Sequence, residues 1–143
     1  MRLTLPLLIL SALPAMAEEM AEIDESLPLP GDIQAVLEAS LASDEMLDRV
    51  RRWQGDLNAD GAPDQLVQAA IAFQGGGNAV VLGHWLFLAD GNGFAPLRAL
   101  ELPHGVIAAS VSEGALQLRL YKALDGDPTC CPSGEESLTI PLP

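Results

Sequence analysis

Apolar residues recur at helical spacing in one part of the chain, residues 31–42. The positions that share one face of this helix are Ile33, Val36, Leu37 and Leu41. Asp32 precedes them and is a candidate N-cap, because a short carboxylate side chain can accept hydrogen bonds from the first free amides of a helix. The pattern therefore predicts one helix over residues 31–42.

From Val50 onward the apolar residues alternate or form short runs, as they do in β-strands. The predicted strands cover residues 65–73, 79–89, 97–102, 106–111, 115–124 and 137–142. Residues 79–89 are apolar on both faces, which is typical of a strand that is covered on both sides. The predicted helix is a candidate cover for one of those faces.

The connections between the predicted strands are short and rich in Gly, Asn and Asp, such as GGGN at 75–78 and DGNG at 90–93. They leave no room for the helical crossovers that parallel strands require. We therefore predict an α+β, β-rich fold. An N-terminal helix would pack on a mostly antiparallel meander sheet, or on a small sandwich, of about six strands.

The start of the chain has the pattern of a secretory signal peptide. Arg2 precedes an apolar run over residues 3–13, and Ala15 and Ala17 frame a cleavage site. A membrane anchor is the alternative, but the run contains a proline and falls short of the ~20 residues that span a bilayer. The prediction is that residues 1–17 are removed and that the protein is periplasmic or secreted.

Charge limits the partners of the remaining chain. The formal net charge is −13, and the apolar fraction of 49% is too high for a wholly disordered protein. Residues 18–30 are acidic, end in proline and are predicted to be a disordered tail, which leaves residues 31–143 as a single β-rich domain. An acidic surface disfavours nucleic acid and anionic lipid, so we expect an unknown protein or small ligand as partner, and no stable membrane insertion after signal cleavage.

The segment DLNADGAPD, residues 56–64, places oxygen-bearing residues at alternate positions and a glycine at the sixth. This spacing is that of the first nine positions of a calcium loop. The predicted calcium ligands are the side chains of Asp56, Asn58, Asp60 and Asp64 and the carbonyl of Ala62. The twelfth position is Val67 and not the bidentate Glu of an EF-hand, so the ion would be structural and weakly held, with Kd on the order of 0.1–1 mM. The alternative is an Asx-rich turn that needs no metal.

This loop, together with DGNGF at 90–94, resembles the calcium-loop unit of FG-GAP/VCBS-type repeats. A single copy excludes a propeller of such repeats. The region from about residue 49 to 142 resembles a group of small secreted bacterial proteins that combine this loop with a glycine-rich turn and a late D-P-x-C-C-P segment, here residues 127–132. No activity is established for that group, so the resemblance implies a calcium loop and no reaction.

Cys130 and Cys131 are the two cysteines of the chain, and they are adjacent. In an exported protein an even number of cysteines favours a disulfide, here a vicinal one. Two buried thiols, or a bridge to another chain, are the alternatives. Binding of a soft metal is disfavoured, because adjacent side chains on an extended strand point apart and C-x-x-C spacing is absent.

The remaining candidates favour structural roles. His84 lies in a predicted strand and is expected to have one polar partner, whereas His104 lies in a turn and is expected to be exposed. Trp53 and Trp85 are predicted to be core anchors. With no sequence motif of a catalytic site, we expect an exported, non-catalytic protein with a structural calcium loop and a binding or interaction role. The alternative is a small periplasmic thiol-redox or metal-handling protein that uses the two cysteines.

Overall fold

The structure is a computed structural model that describes residues 16–143. It is β-rich, with nine strands and one short helix in that range. In chain order the elements are β1 Glu18–Glu19, β2 Ala21–Ile23, α1 Gly31–Ala39, β3 Glu45–Gly55, β4 Asp64–Phe73, β5 Val80–Ala89, β6 Phe94–Leu100, β7 Val106–Ser112, β8 Ala115–Lys122 and β9 Gly134–Pro141. Over this range no helix is long and apolar enough to cross a membrane.

The strands form two antiparallel sheets. One has the order β1-β7-β8-β9 and the other the order β2-β3-β4-β5-β6. Strands β3 to β6 are joined in sequence, as are β7 to β9, so each sheet is largely a meander. The prediction of a β-rich antiparallel fold is confirmed, but the expected number of about six strands is too low for the described residues.

The main core lies between the two sheets. Strand β8 points every second residue inward, and Leu116, Leu118 and Leu120 pack against the five-stranded sheet through Trp53 and Leu86. All five side chains are almost completely buried. This is the period-2 pattern of a strand with one face in the core.

A second core lies on the other face of the five-stranded sheet, under α1. Ile33 and Leu37 of the helix pack on Val67, Ala69 and Phe87. Because successive residues of a strand face opposite ways, Leu86 reaches the first core and Phe87 the second, so β5 is covered on both sides. The layers are therefore sheet, sheet and helix.

The helix is shorter than its predicted range and begins differently. It ends at Ala39, where both the amide and the hydroxyl of Ser40 donate to the carbonyl of Leu37, at 3.1 and 2.6 Å. Its N-cap residue is Pro30, which provides no side-chain hydrogen bond. Asp32 is therefore not the N-cap. It lies in the first turn, and its carboxylate accepts the backbone amide of Phe94 at the start of β6.

Residues 18–30, predicted to be a disordered tail, form structure instead. Strand β1 pairs with β7 and β2 pairs with β3, so the segment joins the edges of both sheets. Met20, between the two strands, is only 3% exposed in the main core. Glu22 pairs with Arg51 at 2.7 Å, and Glu25 pairs with Arg49 at 2.6 Å. Acidic composition was misleading here, because distant arginines and one buried methionine order the segment. The predicted signal peptide lies outside the described residues, except for its last two.

Candidate functional site

The predicted calcium loop is the connection between β3 and β4, and a network of short hydrogen bonds orders it. The carboxylate of Asp56 accepts the amides of Asp60 at 3.2 Å and Gly61 at 2.8 Å. Gly61 has a φ of 83°, a left-handed conformation that glycine adopts without strain. The turn is therefore closed around the side chain of its first residue.

Asn58 and Asp60 extend this network. The side-chain oxygen of Asn58 accepts the amide of Asp60 at 3.2 Å, and Asp60 accepts the amide of Ala62 at 2.8 Å. The side-chain amide of Asn58 also donates to Asp60 at 3.0 Å. These are nested Asx turns, in which the side-chain oxygens of Asp56, Asn58 and Asp60 already accept local N–H groups. Asn58 and Asp60 are exposed and Asp56 is half-buried, and carboxylate oxygens have further lone pairs free for a cation.

Asp64 differs from the other acids of the loop because it is completely buried. Its two carboxylate oxygens accept the amides of Leu57 and Ala89, each at 2.8 Å. Burial raises the pKa of this carboxyl above its usual value, and these two hydrogen bonds oppose the rise. Asp64 thus joins the loop to the end of β5, and both of its oxygens are used.

The five predicted ligand residues are therefore placed in two groups. Asp56, Asn58 and Asp60 surround the exposed turn, and Ala62 follows them as a half-buried residue, whereas Asp64 lies beneath. Within residues 16–143 no three acidic, histidine or cysteine side chains are arranged to hold a metal ion. The exposed group offers two carboxylates and one amide, which suits at most a weak and largely hydrated calcium ion.

The second acidic turn, between β5 and β6, lies at the same end of the sheet. Asp90 accepts the amide of Asn92 at 2.9 Å, and Asp32 of α1 accepts the amide of Phe94. A Cβ atom on Gly93 would collide with the Asp32 carboxylate, so this close approach requires glycine. The start of the helix is thereby fixed to the end of the sheet that also bears the calcium-loop segment.

Cys130 and Cys131 are joined by a disulfide in the connection between β8 and β9, and both residues are exposed. Asp127 closes this loop at its base: its carboxylate accepts the amides of Leu124 and Ser133, each at 2.8 Å, and the hydroxyl of Ser133 at 2.7 Å. The hydrogen bonds from the backbone amides of Leu124 and Ser133 lower the pKa of Asp127. The loop is therefore held by an aspartate, and the exposed disulfide lies just before its closing residue, Ser133.

His84 has the single polar partner expected for a structural histidine. It is 2% exposed, and its Nε2 lies 3.1 Å from Oε1 of Gln68, which also accepts the amide of Val106 at 2.7 Å. Burial lowers the pKa of His84 to about 4. Gln68 therefore joins the two sheets through the amide of Val106, and His84 is held beside it as a neutral side chain. His104 is half-buried, more covered than the turn position predicted.

The two tryptophans lie where core anchors were expected, one more deeply than the other. Trp53 is 2% exposed in the main core, and Arg51 lies over its ring at 4.7 Å from the centroid. Trp85 is partly buried beside the second core. Asp127, Gln68 and the buried Arg52 also hold structural positions, although no sequence motif indicates a role for their side chains. An arginine-rich strand in so acidic a chain is the one signal that points to Arg52.

Comparisons of the chain with protein-family models, with curated proteins and with solved structures gave no match. The resemblance of residues 56–64 to an FG-GAP-type loop thus stays a prediction.

Proposed function

We propose that this protein is an exported binding or interaction module whose segment 56–64 holds one structural calcium ion. The observation that carries the proposal is the preformed acidic turn, in which three oxygen-bearing side chains, two exposed and one half-buried, are fixed in place by backbone amides. Preorganised oxygens reduce the entropy that a cation-binding loop must lose on binding. Asp56, Asn58 and Asp60, with the carbonyl of Ala62, would hold the ion. The ion would neutralise charge in the turn.

Asp64 supports the proposal in a different way from the sequence prediction. Its buried carboxylate connects the loop to the end of β5, and α1 is fixed to the next turn through Asp32. A cation in the exposed turn would therefore stiffen a set of loops that share one end of the sheet. Such a set of loops on a rigid scaffold is the usual place for a binding surface.

The calcium test compares thermal melting of the protein with and without millimolar calcium or magnesium. We expect calcium to raise the melting temperature and magnesium to raise it less, because magnesium requires stricter octahedral geometry. Asp60→Asn removes one charge but keeps an acceptor for the amide of Ala62, and should abolish the calcium effect. Asp90→Asn is the matched control in the other acidic turn and should leave it unchanged. Equal melting curves with and without calcium would refute the calcium part of the proposal.

Export and a binding role have their own tests. An envelope fraction from the native cell should contain the protein with residues 1–17 removed, and cross-linking in that fraction should recover a recurrent protein or small-molecule partner. An intact-mass measurement that finds Arg2 still attached would contradict signal cleavage.

Thiol exchange is a second candidate function, favoured by the exposure of both Cys130 and Cys131. Attack on a disulfide requires access to one of its sulfurs, and this pair lies outside both cores. Reaction of the native protein with a small dithiol, followed by alkylation, measures how readily the pair is reduced. A pair that survives the dithiol while control disulfides are reduced would exclude this candidate.

A further inference from the structure

Arg52 on β3 is a buried cation. Its side chain belongs to a residue that is 6% exposed, and its Nη2 donates to the carbonyls of Leu27 and Pro28 at 3.1 and 3.3 Å. These carbonyls belong to residues 24–30, the strap that connects β2 to α1. Among the described residues only Nη2 of Arg52 has a hydrogen-bond partner, and Nε and Nη1 keep some access to solvent, so their N–H groups are free to bind a ligand.

No carboxylate pairs with Arg52 among the described residues. Its neighbours on β3 do have acidic partners, since Arg49 pairs with Glu25 and Arg51 with Glu22. Residues 1–15 contain no Asp or Glu, so the undescribed part of the chain has no acidic side chain to offer. Burial lowers the pKa of Arg52, with no acid opposing the shift. A buried charge normally has a counter-charge, and this one lacks it.

A recess of about 280 Å³ lies beside this guanidinium, between the strap and β3. Arg52 lines it together with the apolar side chains of Leu27, Leu29 and Val50 and with the ion pair of Arg49 and Glu25. Asp48, which also lines the recess, lies at a β-bulge where the register of β3 and β4 shifts. Bulges re-aim the side chains of a strand and are frequent beside binding sites. The volume is just below the range of about 300–1,000 Å³ that is usual for ligand pockets, so an occupant would have few heavy atoms.

We propose that this recess binds a small aliphatic monocarboxylate. Its carboxylate accepts hydrogen bonds from the free N–H groups of Arg52 and supplies the missing counter-charge, while its hydrocarbon part packs on Leu27, Leu29 and Val50. Arginine suits this role because its planar fork matches a carboxylate. The proposal goes beyond the proposed function and does not depend on calcium, since residues 56–64 do not line the recess.

The charges around the recess favour a single negative charge on the ligand. Glu25 is already satisfied by its two hydrogen bonds from Arg49, at 2.8 and 2.6 Å, and Asp48 adds a second carboxylate to the lining. These acids, in a protein of net charge −13, would repel a doubly charged anion more than a singly charged one. Inorganic phosphate should therefore bind worse than a carboxylate.

The test uses the full chain, labelled with nitrogen-15, and titrates it with butanoate, butylamine and inorganic phosphate. Butanoate should shift the Arg52 Nε–H resonance and the amides of the strap in a saturable way, in the millimolar range. Butylamine should not, and phosphate should bind at least about tenfold more weakly, the equivalent of one lost charged hydrogen bond. No saturable shift with butanoate, or equal binding of phosphate, would overturn the proposal.

Two variants and a control separate binding from a purely structural role of Arg52. Arg52→Lys keeps the positive charge but loses the planar fork, and should weaken butanoate binding about tenfold or more. Leu27→Trp leaves Arg52 and the strap carbonyls intact and should block the recess from its exposed side, because Leu27 is 55% exposed. Arg119→Lys is the control at an exposed ion pair with Glu135, outside the recess, and should bind normally. Equal weakening by both lysine variants, or unchanged binding in Leu27→Trp, would refute the assignment.

Discussion

Replacing Asp64 with alanine should destabilise the protein more than the loss of any other acid in the two acidic turns. The carboxylate is completely buried and accepts two amides, those of Leu57 and Ala89. An unsatisfied buried amide costs about 1–3 kcal/mol, and relief of the buried charge offsets part of that. We therefore expect a loss of about 2–4 kcal/mol in the free energy of unfolding, or roughly 10 °C in melting temperature for a domain of this size.

Urea unfolding followed by tryptophan fluorescence measures this loss, since Trp53 reports on the main core. Asp90→Ala is the matched control, because Asp90 accepts only one amide, in an exposed turn. Its cost should stay below about 1 kcal/mol. The reasoning fails if Asp64→Ala loses no more stability than Asp90→Ala, because the buried amide of Leu57 and the partly buried amide of Ala89 would then not depend on the carboxylate.

Three further outcomes are expected. Replacing Cys130 and Cys131 together with serine should cost at most about 1–2 kcal/mol, because the ring closes almost no chain, whereas Asp127→Ala should open the loop to limited proteolysis. Burial lowers the pKa of His84 to about 4 in the folded state, from 6.5, so the unfolded chain binds more protons between these two values. The free energy of unfolding should therefore fall as the pH drops through that window. His84→Gln should remove this component of the pH dependence in an acid titration. Met20→Asn should detach residues 18–23 and increase their amide hydrogen exchange, and unchanged exchange would contradict the burial of Met20.

The strands that alternate cleanly, and the doubly covered β5, are predictable from the sequence, whereas a strand interrupted by a bulge is missed. In β8, Leu116, Leu118 and Leu120 keep strict period 2, and the segment is correctly predicted as a strand. Strand β3 was not predicted over residues 45–55, because a bulge between Leu47 and Arg49 interrupts its alternation and three arginines fill the segment. Those arginines are ordered by contacts with distant residues, which no local pattern contains.

The acidic segment before the helix shows the same limit. From local sequence, Glu22 and Glu25 are typical of a solvated tail. Their partners on β3 lie more than twenty residues away in the chain, so no local pattern reveals the ion pairs. A single methionine is too weak a signal to predict two edge strands. Order in this segment comes from strand pairing with distant parts of the same chain, which depends on tertiary structure and not on local preference.

The predicted calcium ligands fall into an exposed turn and one buried carboxylate, Asp64, for a physical reason that their spacing does not reveal. An aspartate oxygen that can bind a cation can equally accept a backbone amide, so alternate acids predict both an ion site and an Asx turn. Burial separates the two uses. Asp64 has exchanged solvent for two amides from different segments, and turning it toward an ion would leave both amides unpaired. Asp56 and Asp60 accept amides only from their own exposed turn and can take a cation without breaking the core. Any calcium bound here therefore has to be held by the exposed residues, and the stability contributed by Asp64 should be the same with and without the ion.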